Sequence, residues 1–260
     1  MRFVKLLFLR VSAFVSYNKV VKVAVIADIH SNLEALRAVL AEAKNVKEIW
    51  CLGDVVGYGP NPNECCEIVK KKAKYCVAGN HDWGVLGKID TSWFNSFAIE
   101  AIKITQRILD KKSQKFLGSL ADINNLHEIV LVHGSVISPV YEYIFETDVA
   151  EKSFAKLSRR FCFVGHTHYS VVFEKENGVK EIVPHFEKKI RLKKNCRYII
   201  NPGSVGQPRD GDWRASYGIF DDQNLVFEFK RVEYPMKRTQ EKMIRLGLPE
   251  FLIQRLALGR

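Results

Sequence analysis

Side chains that bind metals and move protons follow five apolar segments of strand length in this sequence. Five of the seven histidines lie at these segment ends, and His127 and His185 are the two that lie elsewhere. Asp, Asn and His are side chains that hold divalent cations, and His also carries protons near neutral pH. The five endings are therefore the first candidates for chemistry; they read "ADIH" (27–30), "LGD" (52–54), "AGNHD" (78–82), "LVHG" (131–134) and "VGHTH" (164–168).

The elements that must position these residues are alternating strands and helices. Apolar runs at 22–27, 48–52, 75–78, 128–132 and 161–164 are typical of buried strands, and the segments between them have helical spacing. In "NLEALRAVLAEA", for example, the apolar residues form one stripe, with Ser31 or Asn32 as the helix cap. Alternation of this kind favours parallel strands, whose carboxyl ends meet at one edge of the sheet. We therefore expect the five endings to converge.

Each polar residue has an ordinary structural explanation when it is taken alone. Asp28 or Asp54 is typical of a turn or a helix cap, His133 of a hydrogen-bonded core residue, and Asn80 of a left-handed turn. Together these explanations fail, because burying so many polar groups at one edge costs free energy that only a partner can offset. A bound cation would be such a partner.

The donor types limit the identity of this cation. Imidazole, carboxylate and amide groups without thiolate suit Mn²⁺, Fe, Zn²⁺, Co²⁺ or Ni²⁺. The donors are too many for one four-coordinate ion, so we expect two divalent ions that share a carboxylate. Asp54 is the natural bridge between them.

Later segments complete a predicted α/β fold. The span 93–120 has helical spacing, and the chain after residue 168 consists of short strands typical of a mostly antiparallel sheet that packs face to face on the first. The last 25 residues return to helical spacing, with "GLPE" separating two helices. We predict an N-terminal extension over 1–20, one domain over 21–234, and C-terminal helices over 235–260 that pack on it.

Composition narrows the classes of partner and compartment. The 260 residues have a formal net charge of +11, but the basic residues form short scattered clusters, so we expect no specific nucleic-acid partner. The opening segment is interrupted by Arg10 and no uniform apolar run approaches the length of a membrane span, so we expect no membrane association. Six cysteines without a Cys-x-x-Cys pair favour a reduced, cytoplasmic protein. The oligomeric state is left open by these patterns.

The ordered motifs resemble the calcineurin-like metallophosphoesterases. All five are present in order, and the resemblance runs from about Val21 to Glu233. The segments "GDVVGYGPNP" (53–62), "HGS" (133–135) and "NPGSVGQPRDG" (201–211) are similar to the small bacterial and archaeal phosphodiesterase branch.

This resemblance implies an αββα sandwich of two mixed sheets flanked by helices, with a two-metal site. It also implies that the two ions activate water for attack on a phosphoester of a small phosphorylated substrate. His81 would face the substrate, with Asp82 as its orienting partner. The implied metal ligands are Asp28, His30 and His168 for the first ion, Asn80, His133 and His166 for the second, and Asp54 for both.

One departure from the superfamily pattern bears on the substrate. Phosphoprotein phosphatases carry an arginine in "GDYVDRG", whereas this chain has "GDVVGYGPNP" without a basic residue. The absence favours a phosphodiester or a nucleotide anhydride, with Arg209 as a phosphate clamp and Tyr141 and Tyr143 lining a pocket for a base. Arg209 also fits a solvated loop residue, and the two tyrosines fit ordinary packing residues. The alternatives are a phosphoprotein or small-molecule phosphomonoesterase, a nuclease, and a scaffold without catalysis.

Removal of residues 1–19 is expected to leave metal content and turnover nearly unchanged. Every motif lies downstream of this segment, and the segment carries no polar residue that matches the site. Elemental analysis and a phosphoesterase assay of the shortened protein check this. A shortened protein that folds but binds no metal would overturn the prediction.

Overall fold

The computed structural model describes residues 22–260, so the extension predicted for residues 1–20 lies outside the described range. Within this range the order of elements alternates as the apolar spacing predicts. The strands are β1 Val23–Ile26, β2 Glu48–Cys51, β3 Tyr75–Cys76, β4 Ile123–Leu126, β5 Ile129–Val132, β6 Phe161–Phe163, β7 Ser170–Glu176, β8 Ile182–His185, β9 Lys189–Arg191, β10 Cys196–Pro202, β11 Ala215–Asp221 and β12 Val226–Val232. The helices are α1 Leu33–Glu42, α2 Pro62–Lys72, α3 Asn80–Val85, α4 Ser96–Ile108, α5 Lys111–Gly118, α6 Thr147–Lys156, α7 Met236–Arg245 and α8 Glu250–Leu258.

The strands form two six-stranded sheets. One has the order β3-β2-β1-β11-β12-β9 and the other β4-β5-β6-β10-β7-β8. Both are mixed, since β1 pairs parallel with β2 but antiparallel with β11, and β10 pairs parallel with β6 but antiparallel with β7. The implied pair of mixed sheets flanked by helices is confirmed.

The predicted division of strands between the sheets is wrong. We expected the first five strands in one sheet and the later strands in the other. Instead β1, β2 and β3 share a sheet with β9, β11 and β12, while β5 and β6 join β7, β8 and β10. The reason is that β1 is fully buried and needs a hydrogen-bonding neighbour on each edge, which β2 and β11 supply. An apolar pattern shows burial but does not show which strand is the neighbour.

The two sheets pack face to face through an aromatic core. Trp50 lies against Phe163 and Phe220, with ring centroids 5.7 and 6.3 Å away. Helices α1, α2, α7 and α8 contribute buried residues to the outer face of the first sheet, and α6 covers the second. No helix among residues 22–260 is both long and apolar enough to cross a membrane.

The C-terminal helices contact the segment that follows the first motif. Thr239 of α7 is fully buried, and its hydroxyl lies 3.1 Å from Asn32 Oδ1 and 3.2 Å from Glu34 Oε2. Lys242 donates to Glu34 at 2.6 Å. The side chain of Asn32 caps α1 and also donates to the Gly206 carbonyl at 2.9 Å. Helix α7 therefore stabilises the loop that carries the "DIH" motif.

Candidate metal centre

The structure brings all seven predicted ligands together. Asp28 and His30 follow β1, Asp54 follows β2, and Asn80 begins α3 just after β3. The other three ligands, which follow strands of the second sheet, are His133 after β5 and His166 and His168 after β6. All seven are buried. The ligand-bearing strand ends of both sheets therefore meet at one edge of the sandwich, whereas the sequence predicts that they share the edge of a single sheet.

Backbone strain marks the same residues. A positive φ is uncommon outside glycine and concentrates at functional sites. Such values let the chain turn at a strand end so that neighbouring side chains face one centre, as "DIH" does with its two ligands. Five of the seven predicted ligands have a positive φ, namely Asp28 (54°), His30 (47°), Asp54 (52°), His166 (68°) and His168 (64°).

Two clusters of donor atoms lie on either side of Asp54. In the first, His168 Nε2 lies 3.0 Å from His30 Nε2 and 3.4 Å from Asp28 Oδ1. In the second, His133 Nε2 lies 3.1 Å from both Asn80 Oδ1 and His166 Nδ1. The predicted division of ligands into two sets therefore matches the spatial grouping.

Asp54 is placed between these clusters. Its Oδ2 lies 3.6 Å from His30 Nε2 and 3.4 Å from His133 Nε2. This oxygen is buried and has no hydrogen-bond partner among residues 22–260, while Oδ1 accepts from the His81 backbone at 2.8 Å. One carboxylate oxygen of Asp54 therefore faces both donor sets.

Backbone carbonyls set the tautomers of the four ligand histidines. A carbonyl only accepts, so the ring nitrogen beside it carries the hydrogen and the inward nitrogen of a neutral ring carries a lone pair. The carbonyl contacts are His30 Nδ1 to Val56 at 3.2 Å, His133 Nδ1 to Leu52 at 2.8 Å, His166 Nε2 to Tyr141 at 3.2 Å and His168 Nδ1 to Gln207 at 2.6 Å. The inward nitrogens then face one another as acceptors.

The electrostatics of this arrangement fit a divalent cation. Burial lowers the pKa of His30, His166 and His168, so these rings are neutral and offer lone pairs. Burial also lowers the pKa of His133, but attraction to Asp54 outweighs it and raises the value to about 10. His133 Nε2 faces the acceptors Asn80 Oδ1, His166 Nδ1 and Asp54 Oδ2, so this point attracts either a proton or a metal ion. The donor set suits Mn, Fe, Zn, Co or Ni.

His81 lies beside the metal-ligand candidates within a ring of aromatic groups. Its Nδ1 is buried, and no group in the described part of the chain hydrogen-bonds to it; burial lowers the pKa of His81 to about 4. The rings of Tyr58 and Phe94 lie 4.5 and 5.2 Å from it. A ring nitrogen of His81 also falls within 4.8 Å of donor atoms of His30 and Asp54, so distance alone allows both a substrate-facing role and a ligand role.

Asp82 has a different role from the expected one. Its Oδ1 accepts from the Val56 backbone at 3.1 Å and its Oδ2 from the Gly79 backbone at 3.0 Å. Both oxygens are therefore used to hold the loops that follow β2 and β3. Asp82 positions the backbone around the site and does not orient the His81 ring.

The three predicted substrate contacts surround the cluster at its open side. Tyr143 stacks on His166, with centroids 3.7 Å apart, and is 39 % exposed. Tyr141 contributes its carbonyl to His166 and is 40 % exposed. Arg209 is close enough to affect the charge states of Asp28 and His168.

Two residues of the site were missed from the sequence. The Tyr58 ring lies 4.6 Å from His30 and 4.5 Å from His81, and the Gln207 carbonyl orients His168. Tyr58 lies inside the quoted "GDVVGYGPNP", where a large aromatic residue between glycines was the available signal. The role of Gln207 depends on its carbonyl, which no side-chain pattern shows.

Gly57→Ala is expected to displace the His30 ring and lower metal content. A Cβ at this position would lie 2.5 Å from His30 Nδ1, and the residue has φ +137°. Gly178→Ala is the matched control, because Gly178 has φ +82° but no atom within 4 Å of the added carbon. Alanine at a positive φ costs about 1–3 kcal/mol of backbone strain at either position. Elemental analysis and thermal unfolding should show metal loss for Gly57→Ala alone, and equal metal content in both proteins would contradict the geometry.

Comparisons with known proteins agree with this geometry. Residues 21–224 match the calcineurin-like phosphoesterase superfamily domain. The uncharacterized protein MJ0912 of Methanocaldococcus jannaschii is 45 % identical over 246 residues, which cover 92 % of this chain and 98 % of that protein.

Solved structures give the same result. A metallophosphoesterase from Sphaerobacter thermophilus is 41 % identical with a TM-score of 0.83, covering 93 % of this chain and 100 % of its own. The protein PH1004 from Pyrococcus horikoshii shares the fold at 21 % identity, with a TM-score of 0.75 and coverage of 92 % and 98 %. With the motifs in order, the fold and the buried donor clusters, this chain belongs to the calcineurin-like phosphoesterase superfamily.

Proposed function

We propose that this protein hydrolyses small phosphodiesters, with nucleotide-like esters as the expected class, at a site that holds two divalent ions. The observation that carries this proposal is the unpaired Asp54 Oδ2 between two sets of inward-facing donors. A single ion would leave one of these sets without a partner. Two ions shared by Asp54 satisfy both.

The bound ions supply Lewis acidity and a water of lowered pKa. The chain itself supplies the remaining functions. His81 lies beside Asp54 and His30, in reach to donate a hydrogen bond to the phosphoester, and the negative charge of that group opposes the effect of burial on its pKa. As water attacks phosphorus and the bond to the leaving oxygen breaks, His81 gives a proton to that oxygen.

The surroundings of the site support a nucleotide-like ester. Five exposed aromatic residues form what we call the aromatic rim. Its rings form two groups, with centroids 5.3 Å apart for Trp93 and Tyr141 in one, and 6.1 and 5.1 Å from Phe145 to Tyr143 and Tyr169 in the other. A base stacked on such a ring gains about 1–3 kcal/mol. The rim consists of Trp93, Tyr141, Tyr143, Phe145 and Tyr169, with exposed fractions from 37 to 50 %.

The direct test is a comparison of esters by the metal-loaded protein. We expect kcat/KM for bis(4-nitrophenyl) phosphate to exceed that for 4-nitrophenyl phosphate, with little activity on a phosphopeptide or on single-stranded DNA. Cyclic nucleotides and dinucleoside polyphosphates belong in the same screen.

A higher kcat/KM for the monoester than for the diester would indicate that the protein is a phosphomonoesterase. The Asp54→Asn protein is the matched control, because activity of the proposed centre should fall in it, whereas activity of a contaminant should not. A wild-type protein that holds two ions and hydrolyses none of these esters would contradict the proposal and favour a scaffold.

A further inference from the structure

The loop after β10 contains an arginine that has no carboxylate partner. Two acids of this loop are engaged by other arginines, since Asp210 pairs with Arg231 and Asp212 pairs with Arg214, the latter at 2.7 Å. Among residues 22–260, Arg209 forms no ion pair, and its Nε is buried without a hydrogen-bond partner. A guanidinium group is planar and always charged, and its donors match the geometry of a phosphate.

A second arginine reaches the same place from the C-terminal helix. Arg255 of α8 is half-buried, and burial followed by repulsion from Arg209 lowers its pKa to about 10, so it remains charged at neutral pH. No Asp or Glu side chain of residues 22–260 forms an ion pair with it either; its Nε donates to the main-chain oxygen of Arg260. The two arginines line an open cavity of about 470 Å³ together with Tyr169, Asp210, Gly211 and Arg260.

Helix α8 is held firmly at this cavity. Gly211 donates to the Gly259 carbonyl at 3.0 Å, and a Cβ on Gly259 would lie 2.7 Å from the Asp212 nitrogen. Phe251 stacks on Phe97 with centroids 4.6 Å apart, and Arg255 lies over the Phe251 ring. These contacts place Arg255 before any ligand arrives, which lowers the entropic cost of binding.

The cavity is adjacent to the candidate metal centre. Arg209 lies over the Tyr58 ring at 5.9 Å, and that ring contacts both His30 and His81. The Arg209 backbone also donates to the His168 carbonyl at 3.4 Å. On its other side the cavity is lined by Tyr169, a member of the aromatic rim. Arg209 therefore contacts residues of the candidate metal centre and also lines the cavity.

We propose that the Arg209–Arg255 cavity binds a second phosphate of the substrate, so that the preferred substrates carry a further phosphate beside the scissile one. Dinucleoside polyphosphates and nucleotide anhydrides belong to this class. The inference rests on the proposed function for the position of the scissile group. The cavity itself is argued from the two arginines, neither of which forms an ion pair with an Asp or Glu side chain of residues 22–260.

The test compares two inorganic probes on the full-length protein as purified. Isothermal titration with tripolyphosphate and with inorganic phosphate is carried out on wild type and on Arg255→Gln, with metal content measured before and after. Arg245→Gln is the control, because Arg245 is an exposed arginine of α7 that pairs with Glu241. We expect Arg255→Gln to weaken the binding of tripolyphosphate about 10- to 100-fold, which is the range for loss of a charged hydrogen bond. The affinity for inorganic phosphate should stay unchanged.

Each outcome decides the inference. Equal affinity of wild type and Arg255→Gln for tripolyphosphate overturns it, and so does the same loss for Arg245→Gln, which would indicate non-specific attraction. An equal loss for phosphate and tripolyphosphate overturns the second-phosphate role. Arg255→Lys should recover part of the loss. If tripolyphosphate binding depends on Arg255 but no ester is hydrolysed, the cavity stands and the proposed function fails.

Discussion

Asp54→Asn is expected to remove more metal than any other single ligand change. The carboxylate faces both donor clusters through one oxygen, 3.6 Å from His30 Nε2 and 3.4 Å from His133 Nε2. Asparagine keeps the shape and can still accept from the His81 backbone, but it removes the negative charge shared by both ions. Since changes to outer residues of metal sites already cost 10–100-fold in affinity, we expect a loss of more than about 100-fold here.

His168→Ala is the comparison for this prediction. His168 contacts the first cluster alone, so its loss should remove one ion and leave the other. Elemental analysis of the two variants beside wild type gives the metal stoichiometry, and circular dichroism checks the fold. Equal losses of one ion in each variant would count against a bridging Asp54.

His81→Ala is expected to keep both metals and to lose roughly 10²–10⁴ in turnover, the usual range for a positioned proton donor. The defect should depend on the leaving group. A nitrophenolate departs without a proton, whereas an alkoxide such as a ribose oxygen needs one in the transition state. The loss should therefore be larger for an alkyl ester.

Both esters are compared at saturating metal, with metal content measured alongside. The same factor of loss on both would make His81 an electrostatic or binding residue. Loss of metal would show that His81 is a ligand, which its distance to Asp54 and His30 permits.

The strand endings were predictable because a buried strand that stops at an acidic residue or a histidine is visible in the apolar pattern. The resemblance in motif order divides the candidate ligands into two sets. The two clusters of donor atoms around Asp54 contain the same two sets. Helices α7 and α8 likewise begin and end around "GLPE" as their spacing predicts.

Features that depend on distant contacts were not predictable. The division of strands between the sheets failed because β11 pairs with β1 across almost the whole domain, and burial alone does not name that partner. Asp82 is predicted to orient His81 because the two residues are adjacent in the chain. Its carboxylate oxygens instead accept hydrogen bonds from the backbone N–H groups of Val56 and Gly79. Arg255 lies in a helix with an ordinary surface pattern, and only the docking of α8 brings it to Arg209.

The central claim is that two ions are held by the clusters that share Asp54. Anomalous X-ray diffraction from crystals of the metal-loaded protein, recorded on both sides of the metal absorption edge, tests it most directly. We predict two peaks, one beside His30 and His168 and the other beside His133 and His166, with Asp54 Oδ2 between them. A single peak, or two peaks that do not both contact Asp54, would contradict the account.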